Sequence, residues 1–151
     1  MTASVQPIYT RTWDVQVGGS VWGNVASTST DGTSNTTNAT VIYVADPTEG
    51  SFVQKVIIRP ISTVAATVVR LFYCSANGAF TLGTTNTANN TALIGEIAVA
   101  AWTVSQTVAS PAYDIPINMG MNANTKLIMS VGTATGATTT GFNPVVVAGK
   151  Y

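Results

Sequence analysis

Six carboxylates carry whatever acid–base chemistry this 151-residue chain can do: Asp14, Asp31, Asp46, Glu49, Glu96 and Asp114. Two of them facing each other about 5 to 10 Å apart would equip a glycosidase, and Asp46 with Glu49 is the pair closest in sequence. Those two flank Pro47 and precede Gly50, a setting in which acids ordinarily serve as solvated turn formers, and that reading outweighs a catalytic one. The absence of histidine removes the commonest general base and the commonest metal ligand. Cys74, the single cysteine, closes the run Val68-Val69-Arg70-Leu71-Phe72-Tyr73-Cys74; with no His or Cys nearby to activate it, it reads as a small buried hydrophobe. No loop alternates carboxylates as a calcium loop does. Gly18-Gly19 and the stretch Gly132-Thr133-Ala134-Thr135-Gly136 lack the lysine and the strand-to-helix setting of a phosphate loop. The expectation is a protein that is not an enzyme and holds no cofactor and no metal.

Charge narrows the partners. Charged residues make up 8% of the chain, against about 25% in ordinary proteins, and six basic residues cancel six acidic ones. Nucleic acid and anionic lipid need clustered Lys and Arg, so neither is expected as a partner. The apolar runs are far shorter than the ~20 residues that cross a bilayer as a helix, and residues 1–12 do not follow a signal-peptide pattern. The three Asn-X-Ser/Thr matches are what a Thr/Asn-rich composition yields by chance.

The elements that must position these side chains follow a period of two between turn residues, the pattern of half-buried strands. Trp13, Val15 and Val17 alternate with Asp14 and Gln16; after Gly18-Gly19-Ser20, Val21, Gly23 and Val25 alternate with Trp22 and Asn24. This predicts a hairpin. Residues 27–38 are Ser, Thr, Asn, Asp and Gly with no large apolar residue, which predicts an exposed loop or a link between the first hairpin and the main domain. The division is therefore an N-terminal arm or hairpin with a polar loop over 1–38 and a β-sandwich domain over 39–151. Strands are expected at 39–45, 52–60, 65–74, 92–99, 112–118, 126–131 and 145–149. A helical stripe also runs from Leu93 to Val104, but Gly95 and the β-branched content favour strand there. Seven or more short strands at this spacing indicate an all-β sandwich or barrel.

Tyr113, Ile115 and Ile117 are expected to face the core, with Asp114, Pro116 and Asn118 facing out and the proline marking an edge or a break. Leu127, Met129 and Val131 oppose Lys126, Ile128 and Ser130, with Ile128 out of pattern. The strand around Arg70 is apolar on both sides, as in a central or covered strand. Arg70 and Glu96 each stand as one charge in an otherwise apolar strand. Such charges persist when paired, so the two are expected to meet as a structural ion pair across neighbouring strands or a subunit boundary. The aromatic residues Tyr9, Trp13, Trp22, Tyr43, Tyr73 and Trp102 are spread over many strands and read as core or contact residues before they read as a sugar-stacking platform.

The runs Asp46-Pro47-Thr48-Glu49-Gly50-Ser51-Phe52-Val53-Gln54-Lys55-Val56-Ile57-Ile58-Arg59, Ala65-Ala66-Thr67-Val68-Val69-Arg70-Leu71-Phe72 and Gly95-Glu96-Ile97 resemble small β-rich structural proteins of tailed bacteriophage virions. So does the ending, Leu127-Ile128-Met129-Ser130-Val131-Gly132-Thr133-Ala134, Gly141-Phe142 and Gly149-Lys150-Tyr151. The resemblance spans 39–151; residues 1–38 follow no family pattern. It implies a jelly-roll-like antiparallel β-sandwich acting as a capsid decoration or cement protein, commonly a homotrimer, bound to the major capsid protein on the virion exterior after synthesis in the bacterial host cytoplasm. Val5, Ile8, Tyr9 and Trp13 precede any confident core strand and are the candidate partner contacts. The alternative is a receptor- or glycan-binding β-sandwich module of a phage tail or capsid surface, which an exposed aromatic cleft with convergent polar groups would mark.

Overall fold

Alternating apolar residues between Gly, Pro, Asn and Asp turns form nine strands in the computed structural model, which describes residues 10–18, 21–22, 39–135 and 141–151. They are β1 (Thr12–Val17), β2 (Val21–Trp22), β3 (Ala39–Val44), β4 (Ser51–Pro60), β5 (Thr67–Cys74), β6 (Thr91–Val99), β7 (Tyr113–Met121), β8 (Lys126–Val131) and β9 (Gly141–Lys150). No described residue is helical. One sheet runs β1-β9-β4-β7, with β2 also on β9; the other runs β3-β8-β5-β6.

The pairings nest. β5 pairs β6, β4 pairs β7, β3 pairs β8 and β1 pairs β9, all antiparallel. The chain is thus one long hairpin, innermost at β5 and β6, rolled up so that β9 also meets β4 and β8 also meets β5. This is the jelly-roll form of the antiparallel sandwich expected from the sequence.

The core lies between the sheets. Val53, Val56, Ile58, Ile115, Phe142, Val146 and Ala148 pack from one side against Tyr43, Val69, Leu71, Leu127, Met129 and Val131 from the other. Asp114, Pro116 and Asn118 face out of β7, which is an edge strand, as a proline within a strand demands.

Two readings of the sequence change here. β1 and β2 do not form a hairpin. Both run antiparallel to β9, Val17 opposite Val145 and then Val21 opposite Phe142, so they point the same way along β9 in registers that differ by one residue. Gly18-Gly19-Ser20 has turn composition, but Gly18 donates to Pro144 O at 2.9 Å and the chain keeps its direction. Consequently the sandwich does not begin near residue 39: residues 12–17 are its edge strand.

The second sheet has a lid of its own. Phe72, Cys74 and Ile128 turn outward yet are buried, because Ala76, Phe80 and Leu82 of the loop after β5 pack over them. Lys126 is 5% exposed beneath this loop. Its Nζ donates to Ala76 O at 3.0 Å and Gly78 O at 3.2 Å and sits 5.2 Å from the Phe80 ring centre, so the charge is met by two carbonyl dipoles and an aromatic face. Ile128 was out of pattern in the sequence because its face is covered, not wet.

Candidate interaction surface

The acids have local structural partners. Asp46 Oδ1 accepts from the backbone N–H of Thr48 at 2.9 Å and of Glu49 at 3.1 Å, and Gly50 closes the turn at φ 82°. A side chain at Gly50 would run into the Met121 carbonyl. Glu49 pairs with Arg11, and Asp114 accepts from Lys55 Nζ at 2.6 Å. Among the described residues no three His, Cys, Asp or Glu side chains converge as a metal site; Asp31 lies outside them.

Arg70 and Glu96 are directly opposite in the β5–β6 ladder, with Nε 3.4 Å from Oε2. The arginine side chain is 15% exposed and the glutamate 54%, since β6 is a sheet edge. The pair is half in water.

The feature that sets this molecule apart is the sign of the alternation in β1. Trp13, Val15 and Val17 are 80%, 57% and 64% exposed, whereas Asp14 and Gln16 turn inward and are half-buried. The inward carboxylate is satisfied: the Tyr43 hydroxyl donates to Asp14 Oδ2 at 2.8 Å, and Gln16 Nε2 lies 3.1 Å from both carboxylate oxygens. Tyr43 is 1% exposed. Burial, reinforced by hydrogen bonding to and the charge of Asp14, pushes its phenol well above the usual tyrosine range, with a Ser51 hydrogen bond opposing. A hydrogen-bonded tie across the mouth of the sandwich therefore fixes which way β1 faces, and its apolar side goes outside.

That side does not end at β1. Ladder register aligns Trp13 with Gly149 and Phe52, Val15 with Val147 and Lys55, and Val17 with Val145 and Ile57. The last five side-chain-bearing neighbours are half-buried. An apolar strip thus crosses β1, β9 and β4 and stops at the Lys55–Asp114 ion pair. Monomeric proteins seldom leave a contiguous apolar face of this kind in water, and such faces mark contacts.

Of the four contacts expected from the sequence, Trp13 lies in the strip; Val5, Ile8 and Tyr9 lie outside the described residues. Sequence reading missed Val145, Val147 and Ile57. The signal was the run Val145-Val146-Val147, whose lack of alternation marks a strand apolar on both faces.

Beside Trp13 is a shallow cleft of about 190 Å³ lined by Thr10, Phe52, Gln54, Ala148 and Gly149. It is smaller than the roughly 300–1,000 Å³ of small-molecule sites.

No known family profile and no curated protein matches this chain. Among solved structures, a chain of the cyanophage Pam1 capsid asymmetric unit is similar to it at 17% identity, over 97% of this chain and 91% of that chain, with a TM-score of 0.37.

Proposed function

We propose that this chain is a structural protein of a tailed-phage virion, a capsid decoration or cement protein that binds the outside of the major capsid shell. The observation that carries the reading is the outward apolar strip of Trp13, Val15 and Val17, continued by Val145, Val147 and Ile57. Jelly rolls serve capsid and lectin domains alike, so the surface and not the fold has to decide. A broad, nearly uncharged face is cheap to desolvate against a neighbouring protein. The action would be mechanical: each bound copy stabilises the shell by mass action.

The glycan-binding alternative draws on the Trp13–Phe52 cleft with its polar Thr10 and Gln54. It ranks second because this cleft is undersized, and the larger one of about 420 Å³ lined by Ile57, Pro60, Ile61 and Val145 has no aromatic ring on which a sugar could stack.

The test is cosedimentation of the purified protein with expanded shells that lack it, with unexpanded shells as control, followed by heating. Saturable binding that prefers expanded shells and raises their disruption temperature is expected. Folded protein that binds neither shell would overturn the reading and send the protein to a glycan screen.

A further inference from the structure

Among the described residues four strands form the sheet edges: β1 and β7 in one sheet, β3 and β6 in the other. Edges invite pairing with another chain, and proteins blunt them with proline, bulges and irregular backbone. Three of these edges are blunted. β7 contains Pro116 and holds Asn118 at φ 48°. The ladder of β3 slips between Val41 and Tyr43, and that of β6 slips where it meets Leu71 and Phe72.

β1 is the least interrupted of the four: its ladder is regular from Thr12 to Val17, between Arg11, whose N–H goes to Lys150 O at 2.7 Å, and the one-residue change of register that precedes Val21. Gly18 gives its N–H to Pro144, its partner in register. In an antiparallel ladder the backbone groups alternate sides, so Gln16, Asp14 and Thr12 also turn theirs toward β9. Trp13, Val15 and Val17 turn theirs toward the open edge, where no described residue pairs with them.

We propose that this edge pairs antiparallel with β1 of a second copy of the chain, centred on Val15. The centre follows from complementarity. Pairing about Val15 sets Trp13 against the partner's Val17 and Asp14 against the partner's Gln16, an aromatic–β-branched pair and a carboxylate–carboxamide pair. A centre at Asp14 would oppose two carboxylates. A centre at Gln16 would carry Trp13 past the end of β1. The contact is isologous and two-fold, in place of the three-fold association implied by the sequence resemblance. It joins two sheets edge to edge and merges their apolar strips into one platform. The pairing concerns the edge and stands whether or not the outer face binds a shell.

Sedimentation equilibrium of the full chain, from about 1 µM to about 1 mM to cover a small interface, should give a monomer–dimer equilibrium. Val15→Cys should form an intermolecular disulfide under mild oxidation, because the paired Cα atoms would lie about 5.5 Å apart, whereas Val44→Cys on the β3 edge should not. Val15 is 57% exposed, so Val15→Lys should keep the thermal unfolding of the parent while opposing two ammonium groups and weakening the dimer at least tenfold. A monomer throughout the range, a trimer, or a dimer indifferent to Val15→Lys would overturn the proposal. Shell cosedimentation of Gln16→Glu, which sets a second carboxylate against the partner's Asp14 from the inward face and leaves the outer strip unchanged, separates the two readings, since loss of the dimer with retained shell binding leaves the decoration role intact.

Discussion

The two outer faces of this sandwich are built from similar residues and end differently. On the β3-β8-β5-β6 sheet, Phe72, Cys74 and Ile128 are roofed by the chain's own Ala76, Phe80 and Leu82. On the other sheet, Trp13, Val15 and Val17 stand 57–80% exposed. The roofed face costs a long loop to cover it, ordered by Asn90, whose Oδ1 accepts from Thr87 N–H at 2.7 Å and whose Nδ2 donates to Thr85 O at 2.9 Å. Covering an apolar face internally supplies stability; leaving one open supplies a contact. The comparison teaches that burial, not composition, separates core from interface in this chain.

The sharpest way to break that comparison is to truncate one aromatic on each face. Phe72, 1% exposed, should lose about 3–5 kcal/mol on replacement by alanine, measured by urea unfolding. Trp13→Ala should change stability by no more than about 0.5 kcal/mol, yet weaken shell binding at least tenfold, as loss of an aromatic anchor does. If Trp13→Ala unfolds the protein, the strip is core after all and the distinction between the faces fails.

A smaller effect probes what holds the open face in place. Tyr43→Phe removes the hydroxyl that ties β3 to Asp14 of β1, and should cost about 1.5 kcal/mol. The same bond has a pH signature. Burial raises the phenol's pKa in the folded protein, so above about pH 10 the unfolded chain gives up this proton while the folded one keeps it. Stability should therefore fall as pH rises past 10, by up to about 1.4 kcal/mol per pH unit from this group. Tyr43→Phe should flatten that slope. An unchanged alkaline slope in the variant would show that the tie does not govern β1.

These contrasts also explain what was legible in the sequence. Period two and turn residues located β3 and β8 almost to the residue, because a strand bounded by Pro-Thr-Glu-Gly or Asn-Ala-Asn-Thr has few alternatives. The direction of β2 was not legible: Gly18-Gly19-Ser20 has the chemistry of a hairpin turn, and only the register along β9 shows that the chain runs on. Nor was the facing of β1. Alternation says that Trp13, Val15 and Val17 share a side; it does not say which side. That choice is made by Tyr43, 29 residues away from Asp14 in sequence. Lys126 was illegible for a similar reason, since its partners Ala76 O and Gly78 O are backbone atoms that no sequence pattern advertises.

Arg70 and Glu96 give the smallest effect and test the reasoning that singled them out. In the sequence each stands as one charge in an apolar strand, to be compensated by the other. The structure sets them opposite each other, but asymmetrically. Arg70 lies low on its sheet, so that a side chain at Gly132 would come within 2.8 Å of its Nη1, while Glu96 is 54% exposed on an edge strand. Water already solvates the carboxylate, which leaves the pair little to gain from Coulomb attraction. Glu96→Gln should therefore cost at most about 1 kcal/mol, and unfolding in ~1 M salt, where the Debye length is about 3 Å, should erase most of the difference. A loss well beyond that, insensitive to salt, would mean that the glutamate is covered in the assembled protein, and would move a contact surface onto the β6 edge.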